Sequence, residues 1–149
     1  MTRISTGDVK VDTLIALARV AHIYDRHLEK RLSKYGINRT EYYLLDILKE
    51  NNGTMKLSEL KDWLQVARHT LTLVVNSLEN KELIERNIYQ GDRRSLEISI
   101  RPKGWECINL IVKDRLEIAH KLMSSISEEK ADTLNKSLET LRTSLLKSN

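Results

Sequence analysis

The chain has 149 residues, 40% of them apolar and 31% charged, with a net charge of +4. That length suits one compact domain carrying helical arms, and the apolar share is enough to build a core. The single cysteine, Cys107, excludes an intrachain disulfide, no apolar run nears the ~20 residues of a membrane span, and the mild positive charge permits an anionic partner without requiring one.

The segment Met1–Asp8 has no apolar run after Arg3, so no secretory signal is expected and the cytoplasm is the expected compartment. Over residues 9–34, Leu14, Leu17, Ala18, Ala21, Tyr24, Leu28 and Leu32 recur at helical spacing, and Gly36 ends that helix. Asn38, with Glu41 three positions on, reads as a capping box opening a second helix whose inner face carries Tyr42, Leu45 and Leu48. Asn51-Asn52-Gly53 breaks it. Ser58 is the expected cap of a short third helix reaching about Leu64. A fourth starts near Ala67, with Leu71, Val74, Val75 and Leu78 forming one buried stripe.

The period then changes. Residues 84–90 and 96–101 read as two strands, since Leu96, Ile98 and Ile100 alternate with Glu97 and Ser99. Gly91-Asp92-Arg93-Arg94-Ser95 is a cationic turn between them, and Pro102 and Gly104 close the hairpin segment. Two helices finish the chain. One runs from about Trp105 to Ser124 with the stripe Ile108, Ile111, Arg115, Ile118, Leu122. The other is capped by Ser127, complemented by Glu128 and Glu129, and striped by Leu134, Leu138, Leu141 and Leu145.

The expected fold is mainly α with a small β-hairpin wing: a helix-turn-helix core over 37–103, with residues 1–36 and 104–149 as a helical dimerisation region. In such a motif the second helix enters the major groove of double-stranded DNA. Its outward residues would be Arg68, His69, Thr72, Leu73 and Asn76, with Thr70 beside them. Arg pairs bidentately with guanine and Asn with adenine, while Thr and Leu touch a thymine methyl. Arg93 and Arg94, at a narrow hairpin tip, suit the minor groove. Asp92 is expected to pair with a nearby cation, Arg86 or Arg94, and so stiffen the wing. A helical protein-interaction module that binds no DNA is the competing reading, kept open by the modest charge.

Leu57-Ser58-Glu59-Leu60, Thr70 to Lys81, Leu83-Ile84-Glu85-Arg86 and Asp92 to Ile100, in this order, resemble the MarR family of bacterial and archaeal regulators, with its D-x-R wing. The resemblance implies an obligate homodimer joined through its terminal helices, a palindromic operator, repression, Arg94 in the minor groove, and release by a small ligand. Several positions depart from the pattern. Ala67 stands where a capping Ser is common, Glu82 where Gly is usual, and Leu73 and Ser77 where basic residues are frequent.

His22, Arg26, Tyr42 and Tyr43 are candidates for a site taking a small aromatic or phenolic ligand, against the plainer reading of core tyrosines and a surface arginine. Cys107 reads as a small buried hydrophobe rather than a redox sensor. No histidine pair has metal-site spacing, and no nucleophile elbow or phosphate loop is present, so no cofactor, metal or catalysis is expected.

Overall fold

The computed structural model describes residues 5–148; the expectation for Met1–Asp8 therefore falls partly, and that for the dimerisation arms at their extreme ends, outside the described residues. The elements are α1 (Val9–Leu32), a single 3₁₀ turn (Ser33–Tyr35), α2 (Arg39–Glu50), β1 (Thr54–Lys56), α3 (Leu57–Leu64), α4 (Arg68–Asn80), β2 (Ile84–Ile88), β3 (Leu96–Ile100), α5 (Pro102–Leu122) and α6 (Glu128–Lys147). No helix among the described residues is long and apolar enough to cross a membrane.

The capping box forms as expected. Asn38 Oδ1 accepts from the Glu41 backbone N–H at 2.9 Å, and Glu41 Oε2 accepts from the Asn38 N–H at 2.8 Å. At α3 the expectation shifts: the helix begins at Leu57, so Ser58 lies inside it, and Glu59 accepts from the Lys56 N–H at 3.3 Å instead. Pro102 is likewise the first residue of α5 rather than the end of the hairpin segment, a position where its missing N–H costs nothing. The sheet has three strands in the order β1-β3-β2, all antiparallel. The added strand β1 aligns Met55 with Ile98, and its Thr54 hydroxyl lies 3.0 Å from that of Ser99.

The core of the lobe is aliphatic. Leu32, Leu44, Leu45, Leu48, Leu60 and Leu78 are fully buried, and Val75, Ile84, Ile98 and Ile108 join them. Each such side chain contributes roughly 1.5–3 kcal/mol on leaving water. Gly104 lets α5 start against the hairpin: a Cβ there would lie 2.0 Å from the Leu83 carbonyl oxygen.

Two compact units result, one running to Ile111 and one from Val112. The division falls inside α5; α1 buries Leu28 and Leu32, and α5 buries Ile108 and Ile111, within the first unit. In the second unit α6 has its Ser127 cap, whose Oγ accepts from the Lys130 N–H at 3.3 Å, but not one of its described residues is buried.

Candidate nucleic-acid interface

Residues 57–80 fold as two helices joined by a three-residue turn. Gln65 makes the turn by adopting φ 52°, a left-handed conformation that costs a side-chain-bearing residue roughly 1–2 kcal/mol. Ala67 then stands at the start of α4 with extended geometry and no side-chain cap. Leu71, Val74, Val75 and Leu78 are buried, so α4 is held by one face. Arg68, His69, Thr72, Leu73 and Asn76 are exposed on the other, and Thr70 is half-buried. The Thr72 hydroxyl donates to the Arg68 carbonyl at 3.1 Å, which occupies its proton and leaves the methyl as its distinctive outward group.

Ser77 is not on that exposed face. Its hydroxyl donates to Glu41 Oε1 at 2.5 Å, inside the lobe. Lys81 Nζ donates to both Glu41 oxygens at 2.8 Å. Burial pushes the Glu41 carboxyl upward, but Lys81, Ser77 and the Asn38 N–H outweigh it and hold the group below its ordinary value. A basic residue at 77 would face this buried pair, so its absence says nothing about DNA affinity.

The wing is a tight turn. The Tyr89 N–H donates to the Ser95 carbonyl at 2.8 Å, and the Ser95 N–H to the Asp92 carbonyl at 2.9 Å. Lys56 lies over the Tyr89 ring at 4.2 Å from its centroid, bracing the hairpin from β1. Among the described residues no guanidinium pairs with Asp92, contrary to expectation. Its Oδ1 accepts from the Arg94 backbone N–H at 2.9 Å and its Oδ2 from the Ser95 hydroxyl at 3.1 Å. These bonds lower its carboxyl below the ordinary value, so the acid cancels backbone dipoles and leaves both Arg93 and Arg94 exposed at the tip. Arg86 turns the other way. Its Nη2 donates to Asn76 Oδ1, and its Nε lies 3.1 Å from Glu79 Oε2, off the line for a hydrogen bond.

Between α3, α4 and the wing runs a groove of about 580 Å³ whose polar lining includes Lys61, Arg68, Arg86 and Arg94 but no carboxylate. Lys61 escaped the reading of the sequence. Its place on α3 gave no signal, because only the folded turn brings it beside the wing. Among the described residues, Lys61, Arg68, Arg93 and Arg94 make no ion pair, so their charge is directed to solvent.

The candidate ligand residues do not converge. Tyr42 is 3% exposed and belongs to the core, its ring 5.3 Å from that of Tyr43. Tyr43 neighbours an Asp25–Arg39 ion pair of 2.5 Å; burial first, then Asp25, pushes its phenol up to about 12. Arg26 lines a shallow groove of about 330 Å³ on α1 with Ile23, His27 and Lys30, and His22 is exposed outside that lining. Cys107 is half-buried, and burial pushes its thiol up, which fits an unreactive side chain. No group of three or more potential metal ligands occurs among the described residues.

A helix-turn-helix followed by a hairpin with exposed arginines defines a winged-helix DNA-binding regulator. The MarR family model matches residues 37–96. The chain is 31% identical over 125 residues to the HTH-type transcriptional regulator MhqR of Bacillus subtilis, spanning 84% of this chain and 86% of that protein. It belongs to the MarR family. Two solved structures share the fold. The S. aureus MepR–DNA complex superposes with a TM-score of 0.75 at 21% identity, covering 87% of this chain and 94% of that one. The organohalide-sensing regulator RdhR in its 2,4-dichlorophenol-bound form gives 0.80 at 18% identity, covering 91% and 80%.

Proposed function

We propose that two copies of this chain grip a two-fold-symmetric operator in the cytoplasm and repress an adjacent promoter. Each copy would lay α4 in a major groove and its wing in the neighbouring minor groove. The observation that carries this is the groove lined by Lys61, Arg68, Arg86 and Arg94. A duplex presents one phosphate charge about every 1.7 Å of axis, and a strand running between recognition helix and wing would meet these cations. Arg68, His69, Thr70, Thr72 and Asn76 then meet base edges, while Arg93 and Arg94 meet the minor groove. Asp92 and Arg86 hold the wing and the helix to which these groups belong.

The second copy follows from unpartnered apolar surface. Val9, Leu14, Val20 and Ile23 are exposed on α1, Leu110 and Leu116 on α5, and Leu134 and Leu145 on α6. Surface of that kind on three helices matches a dimerisation region over residues 1–36 and 104–149. We propose a small phenolic effector on the α1–α2 side, with Tyr43 as the phenol that would donate to it; Arg26, His22 and Tyr42 lie on the same two helices but line no common pocket with Tyr43. The dichlorophenol-bound form of RdhR supports that chemistry for the fold.

The test is selection from random DNA by the purified protein at two salt concentrations, with sedimentation to give the oligomer. A palindrome with half-sites about one turn apart, bound by a dimer and weakening steeply with salt, is expected. A folded dimer that enriches no sequence at low salt would overturn the reading in favour of a protein-interaction module.

A further inference from the structure

We propose that Arg86 positions Asn76 as a hydrogen-bond donor toward the major groove, so that Asn76 selects guanine rather than adenine. The inference rests on the DNA-binding reading and specifies how one of its contacts is made. To read adenine, an asparagine uses both amide atoms, its Oδ1 accepting from N6 and its Nδ2 donating to N7. Here Oδ1 already accepts from Arg86 Nη2. A guanidinium has only donors, so this contact fixes which end of the amide faces β2 and turns Nδ2 away from it. Asn76 is exposed, and no hydrogen bond from its Nδ2 is made among the described residues.

The guanidinium has a second partner on α4. It is 29% exposed, and its Nε lies 3.1 Å from Glu79 on the same helix, one turn beyond Asn76. Arg86 thus clamps two side chains of α4 from the neighbouring strand. Its positive charge also polarises the amide and strengthens Nδ2 as a donor. What the helix presents at this position is a pair of N–H groups. Guanine meets them with two acceptors, O6 and N7. Adenine offers one acceptor, N7, beside an amino group that opposes the second N–H, thymine offers O4 alone, and cytosine opposes donor to donor. Arg86 is a positioning residue in this scheme, while Asn76 touches the base.

The experiment measures binding to the site selected by the parent protein and to its single-base-pair variants. Proteins compared are the parent, Asn76→Ala, Asn76→Asp, Arg86→Ala, Arg86→Lys and the double alanine variant. The parent should favour G·C about tenfold at one pair in each half-site. Asn76→Ala and Arg86→Ala should each lose that preference at the same pair; Asn76→Ala should change affinity for unselected DNA less than twofold, while Arg86→Ala also removes a groove cation and should weaken binding to every site as well. The double variant should lose nothing further, and Arg86→Lys, which keeps a donor, should restore part of the preference. Asn76→Asp keeps the acceptor for Arg86 but has no donor to offer. It should lose the preference too, and decides the matter if Arg86→Ala does not fold. An A·T preference at the pair that Asn76→Ala relaxes, relaxation of no pair, or a loss across all sites with Arg86→Ala that leaves the G·C preference intact would overturn the proposal alone. A parent that enriches no sequence would overturn the DNA reading and this proposal with it.

Discussion

Lys81, the residue that closes α4, holds both carboxylate oxygens of Glu41 at 2.8 Å across 40 residues of sequence. Glu41 is wholly buried at the first turn of α2 while Lys81 is partly in water, so the pair ties the end of the recognition helix to the start of α2. Lys81→Met would leave a buried carboxylate with only the Ser77 hydroxyl and the Asn38 N–H. Breaking a fully buried pair costs about 3–5 kcal/mol; the partners that remain and the solvent at Lys81 reduce this to about 2 kcal/mol. Urea unfolding at pH 7 checks it, and an unchanged midpoint would show the pair to be energetically idle.

The same carboxylate sets an acid limit. Its folded value lies below the ordinary 4.5, so the folded state binds fewer protons than the unfolded one near that pH. Its contribution is therefore complete above about 4.5 and is lost as pH falls below it. Glu41→Gln should be less stable than the parent at pH 7, and the gap between the two should narrow below pH 4.5. A gap constant from pH 7 to pH 3 would remove Glu41 from the acid response.

Gly104 tests the seat of α5. Because an added Cβ would fall 2.0 Å from the Leu83 carbonyl oxygen and 2.8 Å from Ile100 Cγ2, strand or helix must shift. Gly104→Ala raises intrinsic helix propensity, yet overpacking of this kind costs about 1–3 kcal/mol. We expect a lower melting temperature; a rise would mean that the helix start yields freely.

Ala67 offers the opposite sign. It holds the extended geometry of a helix cap but brings no acceptor. Ala67→Ser should add about 1 kcal/mol, or about 2–4 °C in Tm. Ala67→Asp should stabilise similarly while weakening DNA binding, because its charge would sit next to Arg68 in the cationic groove. Equal DNA affinity for both variants would place residue 67 away from the phosphates.

Where the sequence reads well, periodicity is the reason. The stripe from Leu71 to Leu78 and the alternation ending at Ile98 and Ile100 announce their own burial, because a helix or strand with one face in a core repeats at its own period. Strand β1 has three residues, too few to show a period, so the sheet reads as a two-stranded hairpin. The bond from Ser77 to Glu41, 36 residues earlier, has no local signature. Arg86 looks like a wing cation by position, and only the crossing of β2 beside α4 brings it to Asn76 and Glu79. The candidate site is legible in residue types, but pairings between elements are properties of the packed lobe.

The wing carries the last test. Asp92 is fully exposed, so its bonds to the Arg94 N–H and the Ser95 hydroxyl stabilise no core, but they shape the turn that displays Arg94. Asp92→Ala should keep the parent's melting temperature and lose several-fold in operator affinity, as a looser turn orders its arginines at an entropic cost. Asp92→Asn keeps an oxygen for the Arg94 N–H and should recover most of that loss. Arg94→Ala removes the proposed minor-groove contact itself and should cost at least tenfold, with a shallower dependence on salt. Because Asp92 titrates below its ordinary value, the advantage of parent over Asp92→Ala should hold constant from pH 6 to pH 8. Fluorescence anisotropy on a labelled operator gives the affinities with their salt and pH dependence, and thermal unfolding gives the melting temperature. If Asp92→Ala bound as tightly as the parent while Arg94→Ala did not, the arginine would act without a preformed turn. If Arg94→Ala also bound normally, the wing would lie off the DNA and the groove's remaining cations would carry the phosphate contacts.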